Sequence, residues 1–350
     1  MKKSWRQSLL LFRAAVIFGV GWLFAWPVAG AGELRPVANI FKPLSTPAEL
    51  GFEVSLLALI VCAAIFIVVA GLLTYAIVKF RAKPGDDGKE PPQIYGSNQL
   101  EMAWTVIPIL IVFVLMLVTA RTIADVQNAK LPADALKVRV VGHQWWWEIH
   151  YPDLGVVTAN ELHIPVSARD QRRPTALALE SADVIHSFWV PQLAGKKDVI
   201  PNRSNAMWVE PHATGTYLGN CAEYCGTQHA KMMLRVVVES PEDFAKWIAS
   251  QKAPAQDNPT GRAGRDLFLK TACVNCHRVA GTMAAGVFGP DLTRLMTRET
   301  IAAGAAPNTP AKLRAWVTDP QTIKPGCLMP DMQLREDEVT QIVAYLITLK

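Results

Sequence analysis

The most informative segment of the chain reads Cys221-Ala222-Glu223-Tyr224-Cys225-Gly226-Thr227-Gln228-His229-Ala230-Lys231-Met232, and His186 lies 35 residues before its first cysteine. Together they supply two thiols, two imidazoles and a thioether, and soft sulfur ligands combined with imidazole select copper. A mononuclear blue-copper site needs only one cysteine, so the second thiol indicates two copper ions bridged by both sulfurs. Structural zinc also accepts two cysteines and two histidines, but it would leave Met232 without a role.

The residues that flank this segment, from about 131 to 240, form short β-rich runs separated by turn residues such as proline. The clearest runs are 137–142, 175–179, 207–209 and 234–238. Several short strands with regular turn signals predict an antiparallel sandwich or a Greek-key barrel.

Two uncharged apolar runs precede this β-rich region, one of 25 residues at 54–78 and one of 19 residues at 102–120. A helix of the first length spans about 37 Å at a rise of about 1.5 Å per residue, which is enough to cross a bilayer. Pro108 lies near the start of the second run, where a membrane helix tolerates a kink. The two runs predict a transmembrane helical hairpin.

The N-terminus has the features of a secretory signal peptide that ends at residue 31, and an uncleaved membrane anchor is the alternative. Basic residues precede an apolar run at 14–25, and Ala29-Gly30-Ala31 provides a cleavage site of small residues. The loop between the two long apolar runs carries four basic residues, Lys79, Arg81, Lys83 and Lys89. By the positive-inside rule this loop is cytoplasmic, so everything from about residue 122 onward lies on the outer side.

The C-terminal region follows a segment at 251–263 whose alanine, proline and glycine content indicates a linker. Helical patterns then occur at 264–270, 310–318 and 336–348. Cys273-Val274-Asn275-Cys276-His277 has the spacing of a c-type haem attachment site. In such a site two thiols bind the haem vinyl groups and the adjacent histidine binds the iron.

A second axial ligand for that haem is available in Lys324-Pro325-Gly326-Cys327-Leu328-Met329-Pro330. Ligation of iron by histidine and methionine raises the haem potential and suits electron transfer, which favours Met329 as the partner of His277. Three other methionines compete for this role, although their ordinary role is core packing: Met283, Met296 and Met332.

The segments before residue 240 resemble subunit II of the cytochrome c oxidase family. The matching blocks are 142–147, 183–187 and 221–232, together with the two apolar runs, and the resemblance covers residues 45–240. It implies a cupredoxin fold that carries the dinuclear copper centre called CuA. The implied copper ligands are His186, Cys221, Cys225, His229, Met232 and the backbone carbonyl of Glu223. The related quinol oxidases have lost these ligands, so that class is disfavoured.

The same resemblance implies roles for three further residues, each of which is a hypothesis. Trp145 resembles the tryptophan through which electrons reach the copper. A role of this kind would explain three adjacent tryptophans, which would otherwise form a costly exposed patch. Alternatively, the three tryptophans pack into the sandwich core. The Glu223 side chain is similar to a carboxylate that helps bind magnesium at the boundary with subunit I. Glu101 resembles the entrance of a proton path, although a carboxylate is favourable at a helix N-terminus in any case.

The C-terminal region resembles class I cytochrome c, in which the methionine before a proline in such a loop binds the iron. This implies covalent attachment at Cys273 and Cys276, with His277 and Met329 as axial ligands. Gly289-Pro290 resembles the turn whose carbonyl binds the free nitrogen of the histidine. The two resemblances together indicate a caa3-type subunit II with a fused cytochrome c.

The chain is therefore predicted to be multi-domain, with a transmembrane α-helical hairpin, an all-β cupredoxin domain of Greek-key type and an all-α cytochrome c domain. We expect a signal peptide at 1–31, the hairpin within 32–125, the cupredoxin domain at 126–250, a linker at 251–263 and the cytochrome c domain at 264–350.

The resemblance implies a relay of electrons rather than bond chemistry in this chain. A cytochrome c or a quinol–cytochrome c reductase would reduce haem c, and CuA would pass the electrons to haem a of subunit I, where oxygen is reduced to water with proton pumping. The implied partners are subunits I and III and the lipid bilayer of a bacterial inner membrane, with both soluble domains on the periplasmic side. The net charge of +5 is small and scattered, which argues against nucleic acid as a partner.

Three other classes of protein share part of this pattern. A nitrous oxide reductase has the copper loop, but its other module is a β-propeller and it lacks the membrane hairpin. A CuA-bearing subunit of a nitric oxide reductase can combine a hairpin with haem c, so only the terminal acceptor separates it from an oxygen-reducing enzyme. A multihaem electron shuttle would not need the copper loop. Of the two remaining cysteines, Cys327 is expected to be a free thiol and Cys62 to pack in the membrane.

Overall fold

The computed structural model of the chain describes residues 39–81, 90, 92–167, 172–253 and 258–350. The predicted signal peptide at 1–31 lies outside these described residues, as do Lys83 and Lys89 of the basic loop and part of the predicted linker.

Two long helices come first, α1 at Thr46–Lys79 and α2 at Asn98–Gln127, and they contact each other. Pro47 lies in the first turn of α1, where its missing N–H leaves no helical hydrogen bond unmade. The middle of each helix is apolar on every face, and each helix is long enough to cross a membrane. Such an all-round apolar surface is stable only when lipid or other protein covers it.

The β-rich region folds into two five-stranded sheets that share one core. Its strands are β1 Leu136–His143, β2 Trp146–Tyr151, β3 Val156–Ala159, β4 Glu161–Pro165, β5 Thr175–Ser181, β6 His186–Trp189, β7 Lys197–Val199, β8 Asn205–Val209, β9 Gly215–Cys221 and β10 Met233–Glu239. The strand orders are β3-β2-β1-β5-β8 and β4-β10-β9-β6-β7. Most neighbours are antiparallel, but β1 pairs with β5 and β4 pairs with β10 in parallel.

Period-two burial along the strands builds the sandwich core. In β10, Leu234, Val236 and Val238 are buried while the residues between them are half-buried, as expected for a strand with one inward face. These side chains meet Trp147 in the shared core. Helix α3, Pro241–Lys252, follows β10 directly and closes one side of the same core.

The C-terminal domain is mostly helical, with α4 Arg262–Lys270, α5 Cys273–Cys276, α6 Pro310–Thr318, α7 Pro320–Ile323 and α8 Glu336–Leu346. Helices α4 and α8 cross closely because Gly264 has no side chain; a Cβ there would lie 1.8 Å from the Gln341 carbonyl oxygen. The domain differs from the predicted all-helical pattern in one respect. It contains a short antiparallel strand pair, β11 Thr300–Ile301 and β12 Ala306–Pro307.

The predicted fold class of a helical hairpin, a β-sandwich domain and a helical domain is confirmed. The four predicted β-rich runs lie within β1, β5, β8 and β10, and the two uncharged runs lie within α1 and α2. The helices extend beyond the uncharged runs because polar residues at their ends, such as Glu49 and Lys79, are also favourable helix-terminal residues.

Candidate metal centres

The candidate copper ligands lie at one end of the sandwich, where β6, β9 and the loop before β10 meet. Strand β6 begins at His186 and β9 ends at Cys221. Antiparallel pairing of these strands sets Phe188 opposite Cys221, so His186 reaches the thiol although 35 residues separate the two in sequence. The loop then returns through a short 3-10 turn at His229–Lys231, which brings Met232 back to the start of β10.

Five predicted ligand side chains converge at this end of the sandwich. Cys221 Sγ and Cys225 Sγ lie 3.8 Å apart. His186 Nδ1 lies 3.9 Å from Cys221 Sγ, and His229 Nδ1 lies 3.7 Å from Cys225 Sγ. Met232 Sδ lies 3.8 Å from Cys225 Sγ. Each thiol thus has its own imidazole neighbour, and all but His229 are buried.

The sixth predicted ligand is a backbone group, the carbonyl oxygen of Glu223, which lies 3.1 Å from Cys221 Sγ. The site has two central sulfurs, and each sulfur has one imidazole and one further weak donor beside it. Such a set suits a bridged pair of copper ions. A tetrahedral zinc would use only four donors and leave the thioether and the carbonyl unused. The donor set therefore fits dinuclear copper. The carboxylate of Glu223 is exposed at the surface.

Cys221 already favours its metal-binding protonation state, whereas Cys225 and His186 favour their protonated forms. The hydrogen bond between the thiols lowers the pKa of Cys221 and raises the pKa of Cys225, because the pair retains one proton between them. A thiolate rather than a thiol is the metal ligand. Burial alone would lower the pKa of His186, but hydrogen bonds with Asp183 and Cys221 outweigh it and raise that pKa.

Asp183 orients His186 and is missing from the predicted ligand set. Its Oδ1 lies 2.8 Å from His186 Nε2, so the ring presents Nδ1 to Cys221. The backbone N–H groups of Gln144 and Val184 each donate to the Asp183 carboxylate over 2.6 Å. A carboxylate on the second nitrogen of a histidine ligand fixes the tautomer and the ring orientation. The spacing of three residues between Asp183 and His186 is the sequence signal for this role.

The three adjacent tryptophans are buried, which corrects the expectation of an exposed aromatic patch. The exposed fractions of Trp145, Trp146 and Trp147 are 9%, 8% and 0%. Trp147 lies in the sandwich core, whereas Trp146 packs against Ala303 of the C-terminal domain. Trp145 lies beside the copper-ligand loop, where its indole N–H donates to the Cys225 carbonyl over 3.0 Å. Trp145 and Trp147 thus follow the alternative expectation of packing with the sandwich core, and only Trp146 is covered by the C-terminal domain.

The candidate haem attachment site is formed locally around α5. Cys273 and Cys276 are free thiols of that short helix, and His277 follows directly. His277 Nδ1 lies 2.9 Å from the carbonyl oxygen of Pro290, which leaves Nε2 free to bind a metal. Burial lowers the pKa of His277 and so favours the neutral ring, the form that acts as a ligand.

Glycines provide the space around His277. A Cβ at Gly289 would lie 2.6 Å from His277 Cε1 and 2.8 Å from its Nδ1. A Cβ at Gly286 would lie 2.5 Å from the backbone carbonyl carbon of Cys276. Larger residues would force the ring or the backbone to move, so both glycines are needed for the observed ligand geometry. The space left by these two glycines, together with the two thiols and His277, fits a c-type haem.

Met329 is half-buried in a loop that one side chain fastens to the domain. Gln321 Nε2 donates to the Met329 carbonyl over 2.9 Å, and Gln321 Oε1 accepts from the Gly326 N–H over 2.7 Å. Among the competing methionines, Met283 is 77% exposed and Met296 packs against the helical core. Met332 is half-buried as Met329 is, so Met329 as the second axial ligand stays a prediction from the sequence.

The copper-ligand loop and the methionine loop touch each other directly. Lys231 Nζ donates to the Ile323 carbonyl over 2.7 Å, and the Gln228 side-chain amide donates to the Pro325 carbonyl. Both donors belong to the segment 221–232, and both acceptors lie just before Met329 in the chain. The residues that supply ligands to the two candidate centres are therefore held by one shared interface.

Glu101 is not part of either cluster; it lies exposed in the first turn of α2. The four histidines without a predicted function pair instead with carboxylates, at distances of 3.1–3.8 Å: His143 and His150 with Glu148, His163 with Glu239, and His212 with Glu49. These pairs account for the histidines structurally.

Comparison with known proteins agrees with this architecture. The chain matches family models described as "Cytochrome C oxidase subunit II, transmembrane domain" at 38–121, "Cytochrome C oxidase subunit II, periplasmic domain" at 136–240 and "Cytochrome c" at 261–350. It is 34% identical to cytochrome c oxidase subunit 2 of Alkalihalophilus pseudofirmus, over 88% of this chain and 90% of that protein. It is 30% identical to the Bacillus subtilis protein of the same name, over 100% of this chain and 99% of that protein.

These domain matches imply a CuA copper centre and a haem c, and the family predicted from the sequence is confirmed. The chain belongs to the cytochrome c oxidase subunit II family, as a membrane-anchored oxidoreductase subunit with a C-terminal cytochrome c domain.

Proposed function

We propose that this chain receives electrons at a haem c on its C-terminal domain and passes them through a dinuclear CuA centre to haem a of subunit I, where oxygen is reduced to water with proton pumping. The observation that carries the proposal is the convergence of two thiols, two imidazoles and a thioether at one end of the sandwich, where the copper-ligand loop directly touches the haem-attachment domain. When bound, haem c and the copper pair supply reversible one-electron chemistry.

The chain's own contribution on the copper side is to hold its donors still. Six groups would bind the copper pair: His186, Cys221, Cys225, His229, Met232 and the Glu223 carbonyl. Pairing of β6 with β9 fixes Cys221, and the Asp183 carboxylate orients His186. A fixed donor set changes little when an electron arrives or leaves, which favours rapid transfer.

On the haem side, Cys273 and Cys276 would attach the macrocycle covalently, and His277 and Met329 would bind the iron. The Pro290 carbonyl orients His277, and Gln321 holds the methionine loop. Ligation by histidine and methionine favours the high potential that an electron donor to copper requires.

Trp145 is proposed as the residue through which electrons reach the copper centre. Its indole donates to the carbonyl of Cys225, and its backbone lies in the interface with the haem domain. Trp145→Ala should slow reduction of copper and leave the copper spectrum unchanged. An unchanged rate of copper reduction would remove Trp145 from the path.

Two carboxylates are proposed to serve the partner subunit. The exposed side chain of Glu223 would bind magnesium at the boundary with subunit I, and loss of bound manganese from Glu223→Gln by paramagnetic resonance tests this. Glu101 would admit protons at the start of α2. Normal proton-coupled turnover of Glu101→Ala would contradict that role.

The partner subunits, the membrane and the electron donor proposed for the chain follow from the same family. Subunits I and III and a bacterial inner membrane are the proposed setting, with both soluble domains in the periplasm. A cytochrome c or a quinol–cytochrome c reductase is the proposed donor. The support is the pair of membrane-length helices that precede the two soluble domains.

Electron paramagnetic resonance and optical spectra of the assembled oxidase test the proposal directly. A seven-line mixed-valence copper signal together with a low-spin c-type haem with histidine and methionine ligands is expected. A haem signal without dinuclear copper would overturn the relay. Oxygen and nitric oxide consumption, measured on the same preparation, then separate an oxygen reductase from a nitric oxide reductase.

A further inference from the structure

Lys324 is a buried lysine between the copper domain and the haem domain. Its exposed fraction is 3%, and its Nζ donates to the carbonyl oxygens of Trp145 over 2.7 Å and Ala302 over 3.1 Å. The titratable groups that act on it are two thiols and one other lysine, with no carboxylate among the described residues. Two backbone carbonyls, one from each domain, are its acceptors.

A lysine in this position is costly, so interface stability alone does not explain it. Burial opposes the ammonium form and lowers the pKa of Lys324 to about 7. An apolar side chain of similar length would avoid this penalty and still fill the space. What an apolar side chain cannot do is form the hydrogen bond to Trp145, and that bond joins the two domains.

The bond to Trp145 connects the two sets of candidate ligands. Trp145 donates through its indole N–H to the carbonyl of Cys225, a predicted copper ligand. Lys324 lies five residues before Met329, in the loop that would supply the second haem ligand. A single side chain therefore links the methionine loop to the residue that packs on the copper-ligand loop.

Other contacts attach the haem domain without reaching Trp145. The Glu161 carboxylate accepts from the N–H groups of Glu299 over 2.9 Å and Thr300 over 3.0 Å. Arg235 pairs with Glu299 over 2.7 Å, and the Met233 N–H donates to the Ala303 carbonyl over 3.1 Å. None of these contacts involves Lys324, so attachment and alignment can be separated experimentally.

We propose that Lys324 is a positioning residue that aligns the methionine loop on Trp145 and thereby sets the rate at which the haem domain reduces the copper centre. This rests on the proposed function, in which electrons pass from haem c to CuA. In the same arrangement Trp145 and Trp146 are covered, so an external donor reaches the haem domain and not the tryptophans.

The test is Lys324→Met in the assembled oxidase. Haem c is reduced rapidly, and its reoxidation is followed at the visible haem band together with copper reduction in the near infrared. We expect the transfer to slow by about tenfold or more, as is usual when a misplaced group alters a reacting geometry. Haem content and both resting spectra should stay unchanged.

Two further variants control the experiment. Lys312→Met makes the same substitution at an exposed lysine of α6 and should transfer electrons at the wild-type rate. Lys324→Gln keeps an N–H donor without the charge and should recover part of the rate. If the methionine variant does not assemble, Lys324→Gln is compared with wild type instead, and transfer slower than in the wild type is then the expected result.

Unchanged transfer in the Lys324 variant, with normal spectra, overturns the positioning role. Slower transfer with an altered haem or copper spectrum also overturns it, because Lys324 would then act on a centre rather than on alignment. Failure of the proposed function itself is distinct, since wild-type oxidase would then show no reduction of copper by haem c.

Discussion

In the copper domain, ligands 35 residues apart meet because β6 pairs with β9, whereas in the haem domain three of the four residues predicted to hold the haem lie within five consecutive residues. The copper site is thus a product of the tertiary fold. The haem attachment motif is a product of local sequence, and only Met329 must be brought from a distance.

The two sites also differ in how their histidines are oriented. His186 is held by a side chain, the Asp183 carboxylate, while His277 is held by a backbone carbonyl at Pro290 and by the absence of a side chain at Gly289. The copper site should therefore respond to changes of charge around it. The haem site should respond to changes of volume.

Cys225→Ser should have the largest effect and should be confined to the copper side. It replaces a soft bridging sulfur by a hard hydroxyl, so the dinuclear donor set is lost. We expect the copper signal to vanish and oxidase turnover to fall to background while the c-haem spectrum stays normal. Paramagnetic resonance and haem absorbance on one sample check this. Loss of haem as well would mean that the two sites do not form independently.

Gly289→Ala tests whether volume controls the haem site. The added Cβ would meet the His277 ring at 2.6 Å, so the ring must move away from the Pro290 carbonyl. Overpacking of this kind costs about 1–3 kcal/mol. We expect reduced haem content and a shifted haem c potential, with the copper signal intact.

Gly195→Ala is the matched control for that substitution, because a Cβ there would meet nothing within 4 Å. It should leave haem content and potential unchanged. If Gly289→Ala behaved in the same way, the close packing of the turn on His277 would not matter for the haem.

The elements that could be predicted from the sequence are those with a local pattern. Most copper-ligand positions lie in one segment of fixed spacing, and the strands around it have alternating burial. The burial of Glu161 and Lys324 could not be predicted, because a neighbouring domain covers them. Nothing in the nearby residues distinguishes such a lysine or glutamate from one that faces water.

Asp183→Asn tests whether charge controls the copper site. Asparagine keeps the size of the side chain but removes the carboxylate that fixes His186. Loss of such a supporting group typically weakens metal binding by about 10–100-fold. Competition with a copper chelator measures the change. Asp198→Asn, at an exposed position of β7 in the same sheet, should bind copper as the wild type does.

Glu161→Gln should have the smallest effect and concerns the contact between the two domains. Burial raises the pKa of Glu161 although the N–H groups of Glu299 and Thr300 donate to it. A carboxyl group whose pKa is higher in the folded state stabilises that state below its unfolded pKa of about 4.3, and this contribution is lost as pH rises through the folded pKa. Glutamine does not titrate, so the variant avoids this loss.

The stability difference between Glu161→Gln and wild type should therefore move in favour of the variant as pH rises above about 4.3, by about 1.4 kcal/mol for each pH unit by which the folded pKa of Glu161 exceeds the unfolded one. The midpoint of thermal unfolding, followed by c-haem absorbance in the assembled oxidase, measures it. Glu242→Gln, at an exposed position of α3, should show no such trend. A trend in favour of wild type would mean that the N–H donors outweigh burial. Glu161 would then hold the two domains together as an ionised carboxylate. The boundary between the domains would depend on charge, as the copper site does, and not on volume, as the haem site does.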